Sequence, residues 1–192
     1  LTKWGVSYID SKNYAVGMNS EPGSVFKLAS VIALLEEAKI DTSYQIETGD
    51  GLWKEKGMHD HNWRLDGTGG YGTISLAHAF HVSSNIGIAK PVSEFFGKKR
   101  EKFVEKLYSM KLADRMELDI PNDVRPMIRN FDDPTVKNDG TYLTSMAIGY
   151  SVQIPPIYTL TFYNAIANDG KMIKPLFVRS VRRDGTVLKT VS

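Results

Sequence analysis

A long run of apolar residues constrains the fold of this chain more than any other feature. Between residues 25 and 35 the apolar side chains would cover nearly every face of a helix: Val25, Phe26, Leu28, Ala29, Val31, Ile32, Ala33, Leu34 and Leu35. A helix that is apolar all round is normally buried at the centre of a domain. Pro22 and Gly23 come directly before the run and interrupt regular structure. The sequence therefore predicts a central, buried helix that begins at Ser24.

The rest of the chain is large and apolar enough to surround such a helix. It has 192 residues, of which 42% are hydrophobic, which suits one domain or a piece of one. The absence of cysteine excludes disulfides, cysteine-ligated zinc and cysteine nucleophiles. The formal net charge is +2, so the charge balance gives no reason to expect nucleic acid or an anionic membrane as a partner.

Apolar periodicity and turn residues predict an α+β fold that is mostly helical. Further helices are predicted over residues 74–82, with Thr73 as the N-cap, and over 86–96, 99–110, 141–148 and 158–167. Short strands are predicted at residues 4–9, in a hairpin over 44–53, and in a hairpin over 176–191 that turns at Asp184-Gly185. Residues 59–72 and 118–139 are expected to be irregular.

Ser24 and Lys27 are the first candidates for catalysis. Their spacing at the start of the predicted helix places both side chains on one face. Serine becomes a nucleophile when a base takes its proton, and burial and a helix N-terminus can lower the lysine pKa from about 10.4 so that it serves as that base. About one S-x-x-K match is expected by chance at this composition. The alternative is that Ser24 is an ordinary N-cap and Lys27 is solvated.

Ser83 and Asn85 are the second pair of candidates, in the sequence S-S-N. This S-x-N lies between two predicted helical segments, where a loop can hold polar side chains against a cleft. A second S-x-N, Ser11-Lys12-Asn13, lacks that setting. The alternative for Ser83 and Asn85 is a helix–helix turn with a capping role.

A glycine-rich segment matches a nucleotide-binding pattern by letter. Residues 67–72, G-T-G-G-Y-G, fit G-x-G-x-x-G. A dinucleotide site requires a hydrophobic strand directly before that pattern, and residues 61–66 do not form one. We therefore expect a structural loop here.

The histidines of the chain raise the question of a metal site. His59 and His61 flank Asp60, and His78 and His81 follow on a predicted helix. No third ligand has a clear spacing. A structural or solvent-facing role is therefore favoured for all four histidines, and no metal is expected.

Longer stretches around both serine motifs, taken together, resemble a known family. Residues 21–27 read E-P-G-S-V-F-K, residues 71–76 Y-G-T-I-S-L and residues 83–87 S-S-N-I-G. They are similar to the E-P-G-S-x-F-K, Y-G-x-I-T-L and S-S-N-x-G of the class B, monofunctional penicillin-binding proteins. Residues 149–153, residues 163–170 and Pro175 resemble the segment ahead of that family's third motif. The resemblance runs from about residue 13 to residue 181 and implies the helical part of a penicillin-binding-protein/β-lactamase-like transpeptidase domain with short terminal strands.

The chain departs from the family at the third motif. No K-[TS]-G is present, and Lys189-Thr190 is followed by Val191. In the family this motif follows the second one at a greater distance than the residues remaining here. We therefore expect residues 1–192 to be an incomplete transpeptidase domain, truncated before K-T-G and ahead of its first strands, without its membrane anchor. On that expectation the chain alone is nearly inactive.

The resemblance implies roles for the candidate residues. Ser24 would be the nucleophile that attacks a stem peptide ending in D-Ala-D-Ala, and Lys27 its base. Ser83 would relay a proton to the leaving amine, and Asn85 would hold Lys27 and the substrate amide. The resemblance also implies covalent reaction with β-lactams, no cofactor, an extracytoplasmic (periplasmic) location on the inner membrane and a possible cell-wall synthesis complex.

Two other functional classes remain open at this point. One is a serine β-lactamase or a D,D-carboxypeptidase of the same fold, although no convincing glutamate is found that would direct water onto an acyl-serine. The other is a non-catalytic binding module of a cell-wall complex.

Overall fold

The computed structural model of the chain describes residues 12–136 and 139–190. Within them lie the helices α1 (Tyr14–Gly17), α2 (Lys27–Ala33), α3 (Leu76–His81), α4 (Asn85–Phe96), α5 (Arg100–Ser109), α6 (Thr141–Ala147) and α7 (Pro156–Ala167). A 3-10 turn, Gly23–Phe26, leads into α2, and a π-helical turn, Leu34–Ala38, follows it. The predicted α+β fold with mostly helical content is confirmed.

The strands are short and pair in antiparallel twos. They are β1 (Gln45–Glu47), β2 (Leu52–Trp53), β3 (Met58–His59), β4 (Thr73–Ser75), β5 (Ser180–Arg183) and β6 (Thr186–Thr190). β1 pairs with β4, β2 with β3 and β5 with β6. The predicted C-terminal hairpin is confirmed in its described part, with Asp184 and Gly185 both at positive φ in its turn. The strand predicted at residues 4–9 lies outside the described residues.

The local hairpin predicted over residues 44–53 is wrong. Its two halves are strands, but each pairs with a strand later in the chain. Ile46 of β1 lies opposite Ile74 of β4, and both side chains are buried. The segment between β1 and β2 is glycine-rich and offers no such apolar partner for Ile46. Burial of this cross-strand pair therefore decides the pairing.

The prediction that Thr73 caps a helix is also wrong. Thr73 and Ile74 belong to β4, and Ser75 is the N-cap of α3, where its side chain accepts a hydrogen bond from His78 N. β-branched residues suit a strand better than a helix start. The capping therefore falls on the next hydroxyl side chain along the chain.

The remaining helix predictions agree with the structure within about two residues at each end. Residues 86–96, 99–110, 141–148 and 158–167 correspond to α4, α5, α6 and α7. Residues 118–136 are irregular as expected, apart from an isolated bridge between Met127 and Gln153. No helix in the described part of the chain is long and apolar enough to cross a membrane.

Helix α2 lies at the centre of the core, as predicted. It packs against α3, α4 and α5, while α4 packs on α6. Phe26, Ala29, Val31, Ala33 and Leu34 of the helical run are buried, although Val25 is exposed. Because its sides are covered by other helices, the start of this run is held in a fixed position. Ser24 and Lys27 lie at that start.

Candidate active site

The first turn of the central helix places Ser24 and Lys27 on one face. Residues Gly23–Phe26 form a 3-10 helix, in which side chains three residues apart are eclipsed, and the N–H of Lys27 donates to the Ser24 carbonyl. The two side chains differ sharply in burial, since Ser24 is exposed while Lys27 is only 1% exposed. An accessible hydroxyl therefore lies one turn before a buried amine.

Lys27 reaches from α2 to the second candidate motif. Its Nζ donates to the Ser83 carbonyl oxygen at 2.5 Å and to Ser83 Oγ at 3.0 Å. Burial lowers the pKa of the Lys27 ammonium from 10.5 to about 8, and the nearby Asp60 carboxylate opposes this by a smaller amount. A lysine in this state has an appreciable fraction of free amine near neutral pH and is suited to accept a proton.

The turn between α3 and α4 presents Ser83 toward Lys27. Ser83 is exposed and takes a left-handed backbone conformation, with φ of +56°. Ser84 is buried and caps α4 by accepting a hydrogen bond from Gly87 N at 2.7 Å. A Cβ atom on Gly87 would lie 2.6 Å from the Ala79 Cβ, so only glycine lets α4 approach α3 this closely. The S-S-N-I-G sequence thus forms a tight turn, in which Ser83 has a left-handed backbone, Ser84 caps α4 and Gly87 allows the two helices to pack closely.

Asn85 lies beside this turn but faces another partner. Its Nδ2 donates to the His59 carbonyl oxygen at 2.9 Å. Between Asn85 and Lys27 no hydrogen bond is present in the described part of the chain. The structure therefore brings Lys27 and Ser83 into direct contact and places Asn85 at the edge of the same turn.

Asp60 is part of this cluster and was missed as a site residue by sequence reasoning. Its side chain is 0% exposed, and its carboxylate accepts hydrogen bonds from Ser84 Oγ at 2.9 Å and from Ile86 N at 3.0 Å. The sequence analysis considered Asp60 only as a possible metal ligand between two histidines. No local sequence signal links it to Ser84, because the contact joins residues 24 positions apart.

A third segment supports the loop that carries Ser24. The Gly149 carbonyl oxygen accepts from Gly23 N at 3.0 Å, and Glu21 Oε1 accepts from Ser151 N at 2.9 Å. Gly149 has φ of +84°, and a Cβ there would lie 2.0 Å from the Gly23 carbonyl oxygen. Two residues of the segment 149–153, which was singled out in the sequence, therefore hold Glu21 and Gly23, the residues that lead to Ser24.

Helix α7 adds a further contact at the same place. Its Tyr163 hydroxyl donates to the Val25 carbonyl oxygen at 2.8 Å. The phenol of tyrosine has an ordinary pKa of about 10 and burial raises the pKa of Tyr163, so its hydroxyl is protonated and can donate at neutral pH. Tyr163, the first residue of the 163–170 segment, thus contacts the turn that carries Ser24.

The glycine-rich segment and the histidines are engaged in local packing. Asn62 Nδ2 donates to the Gly70 carbonyl, and Gly72 N donates to the Gly49 carbonyl, so this loop folds back on the chain. The His59 ring packs against Trp63, and the His61 ring against Tyr71. In the part of the chain that the structure describes, no three His, Asp or Glu side chains are grouped as metal ligands.

Known proteins that are similar to this chain in sequence include penicillin-binding proteins. The family described as penicillin binding protein transpeptidase domain matches residues 3–191. The curated penicillin-binding protein PbpB of Mycolicibacterium smegmatis is 24% identical over 179 residues, which are 91% of this chain and 26% of that protein. The chain spans about a quarter of the length of the curated relatives it matches.

Solved structures share the fold. A putative peptidoglycan glycosyltransferase from Atopobium parvulum has a TM-score of 0.73 at 24% identity, over 93% of this chain and 40% of that one. Penicillin-binding protein 3 from Mycobacterium tuberculosis, solved as a complex with ampicillin, has a TM-score of 0.71 at 23% identity, over 93% of this chain and 37% of that one.

The fold and the paired serine motifs therefore define a transpeptidase-type domain. This chain belongs to the penicillin-binding protein transpeptidase domain family. The family that the motifs resembled is thus confirmed, and the matched range is longer than the stretch over which the resemblance was seen in the sequence.

Proposed function

We propose that this chain carries the nucleophile and the base of a D,D-transpeptidase that cross-links peptidoglycan. The observation that supports this most directly is the pairing of an exposed Ser24 with a buried Lys27, which in turn contacts Ser83. A base that is shielded from water and has a pKa of about 8 suits the activation of a serine hydroxyl. In this proposal Ser24, Lys27, Ser83 and Asn85 form the catalytic group.

The first half of the proposed reaction forms an acyl-enzyme. The Lys27 amine takes the proton from the Ser24 hydroxyl while Oγ attacks the carbonyl carbon of the penultimate D-Ala of a stem peptide. The peptide C–N bond then breaks, and the proton passes from Lys27 through the Ser83 hydroxyl to the amine of the departing D-Ala. The direct contact between Lys27 Nζ and Ser83 Oγ supports this proton route.

The second half transfers the acyl group. An amine of a neighbouring strand attacks the Ser24 ester, its proton returns through the same groups, and Ser24 leaves as a free hydroxyl. Asn85, at the edge of the 83–85 turn, would orient the substrate amide. The proposed substrates are peptidoglycan stem peptides. The working domain is accordingly proposed to lie on the extracytoplasmic side of the bacterial inner membrane and to act within a cell-wall synthesis complex.

Covalent reaction with β-lactams follows from the same chemistry. The strained lactam amide presents a carbonyl to Ser24, and its opening leaves an acyl group on Oγ. The M. tuberculosis structure with a similar fold was solved with ampicillin. A second donor to the oxyanion and a contact to the substrate carboxylate would come from a K-[TS]-G strand, which residues 1–192 do not contain. We therefore propose that these residues are an incomplete transpeptidase domain.

A fluorescent penicillin tests this function in the intact protein that contains the chain. We expect stoichiometric labelling of the wild type, none of Ser24→Ala, and unchanged labelling of Ser43→Ala, an exposed serine outside the site. Labelling that survives in Ser24→Ala would contradict the assignment. An intact, folded wild type that is never labelled would instead indicate a non-catalytic module, and rapid hydrolysis of the label would indicate a lactamase.

A further inference from the structure

A buried carboxylate supports the 83–85 turn from outside both serine motifs. Asp60 follows β3 and is 0% exposed, as is its partner Ser84. Ser84 Oγ lies 2.9 Å from both carboxylate oxygens, and Ile86 N donates to Oδ1 at 3.0 Å. Buried charges in proteins are normally retained only with such partners, because the unpaired charge is costly.

The backbone of Asp60 is fixed as firmly as its side chain. Its N–H donates to the Gly51 carbonyl oxygen at 2.9 Å, and its own carbonyl accepts from Trp63 N at 3.1 Å. These two hydrogen bonds hold the Asp60 backbone in place independently of the 83–85 turn. The start of α4 is therefore hydrogen-bonded to a residue whose position is set by other segments of the chain.

The turn itself needs such an anchor. Ser83 has φ of +56°, a conformation that is strained for a residue other than glycine and persists only where surrounding contacts impose it. The hydrogen bonds from Ser84 and Ile86 to Asp60 lie directly after Ser83 in the chain. They hold the backbone on the C-terminal side of Ser83, while Lys27 contacts the residue itself.

We propose that Asp60 is a positioning residue that anchors the 83–85 turn, and that its negative charge acts on the buried Lys27, which is hydrogen-bonded to Ser83 of the same turn. This inference rests on the proposed acylation of Ser24. It assigns to Asp60 two separable effects. One is geometric and acts through Ser84 on Ser83, and the other is electrostatic and acts on Lys27.

The electrostatic effect has a defined sign. The Asp60 charge raises the Lys27 pKa and so opposes the lowering caused by burial. On the helices that pack against α2, Lys90 donates to the Glu47 carbonyl, Glu94 accepts from Tyr44, and Lys106 pairs with Glu36. His78 and His81 lie beside one another with tilted rings, and Glu101, Lys102 and Glu105 are the other charged residues of α5 alongside Arg100. Around Asp60 itself lie Tyr71, whose pKa is raised by burial and by Asp60, and His59, whose Nδ1 is 3.1 Å from the Asp60 carbonyl oxygen. Loss of the Asp60 charge therefore lowers the Lys27 pKa further.

Two variants of the intact protein separate these effects through the pH profile of penicillin acylation. Asp60→Asn keeps the shape but removes the charge, so the midpoint of the profile moves to lower pH. The plateau rate falls roughly 10- to 100-fold, because an amine with a lower pKa is a weaker base. Ser84→Ala keeps the charge but removes the anchor, so the plateau falls while the midpoint stays. Asp66→Asn, an exposed aspartate of the same loop, is the matched control and changes neither.

The outcomes distinguish this inference from the proposed function. If wild type is acylated at Ser24 but Asp60→Asn retains the wild-type midpoint, the electrostatic assignment is overturned. If Ser84→Ala acylates at the wild-type rate, the anchoring assignment is overturned. The Ser84→Ala variant tests anchoring even if thermal melting shows that Asp60→Asn does not fold. Failure of the proposed function would instead appear in the wild type, as absence of labelling or labelling away from Ser24.

Discussion

Lys27 Nζ donates to both the carbonyl oxygen and the hydroxyl of Ser83, at 2.5 and 3.0 Å, across 56 residues of sequence. This contact joins the first turn of the central helix to the turn before α4. It brings the S-x-x-K and S-x-N motifs together in space. The Lys27 amine is thus hydrogen-bonded to the hydroxyl that we propose serves the leaving group.

Acylation of Ser24 is expected to depend on pH through Lys27. The amine must be unprotonated to act as base, and its pKa is about 8. Below that value the fraction of free amine falls about tenfold per pH unit. The second-order rate of penicillin acylation by the intact protein should therefore rise from pH 6 to about pH 8 and level off above it.

A profile that continues to rise toward pH 10 would show that Lys27 keeps an ordinary lysine pKa, and a flat profile from pH 6 to 9 would remove Lys27 as the base. Lys56→Met, which replaces a lysine outside the site, should leave the midpoint unchanged. Thermal melting at each pH verifies that the protein remains folded over the range.

Gly149→Ala is expected to be strongly destabilising and to disturb Ser24. The new Cβ would lie 2.0 Å from the Gly23 carbonyl oxygen, and the backbone has φ of +84°. The left-handed conformation costs an alanine about 1–2 kcal/mol, and the overlap with a backbone atom adds about 1–3 kcal/mol. Urea unfolding should show a loss of roughly 2–5 kcal/mol.

Gly170→Ala is the matched control for this prediction. It has φ of +78°, but no atom lies within 4 Å of the new Cβ. It should lose only the conformational part, about 1–2 kcal/mol. Equal losses in the two variants would contradict the close packing of Gly149 on the Gly23 turn.

Sequence reasoning located the central helix and both motifs because each has a local signal. The apolar run before Glu36 predicts burial, and Pro22-Gly23 predicts where the helix begins. The S-S-N turn was placed between two helical segments by the same kind of signal. Local periodicity and turn residues are enough for these features.

The features that sequence reasoning missed depend on contacts between distant residues. β1 pairs with β4 because Ile46 and Ile74 are buried together, which no local pattern reveals. Asp60 belongs to the candidate site because the β3–β4 loop places its carboxylate within hydrogen-bonding distance of Ser84. A buried carboxylate has the same local sequence appearance as an exposed one, and therefore only the fold identifies its role.

Ser30→Ala is expected to weaken the attachment of α2 to α6. Ser30 is 0% exposed, and its Oγ donates to the Ala147 carbonyl oxygen at 2.7 Å. Loss of the hydroxyl leaves a buried carbonyl without this donor, at a cost of about 1–3 kcal/mol. Ser109→Ala, which removes an exposed hydroxyl bonded within its own helix, should change the free energy of unfolding by less than about 0.5 kcal/mol. Equal effects would show that the Ser30 contact does not support the core.

The chain of residues 1–192 by itself is expected to react with penicillin far more slowly than the intact protein. The candidate site holds an exposed Ser24, a buried Lys27 and Ser83, and the sequence contains no K-[TS]-G. Loss of one oxyanion donor typically lowers the rate about 10²- to 10³-fold, and loss of the strand also removes a wall of the cleft.

Time courses with a fluorescent penicillin, run on both proteins at one concentration and pH, measure the ratio of the two labelling rates directly. Circular dichroism verifies that the chain alone is folded, so that slow labelling reports chemistry and not unfolding. Rapid, stoichiometric labelling of Ser24 in the chain alone would mean that its own residues complete the oxyanion site, and the proposed contribution of a third motif would then be wrong.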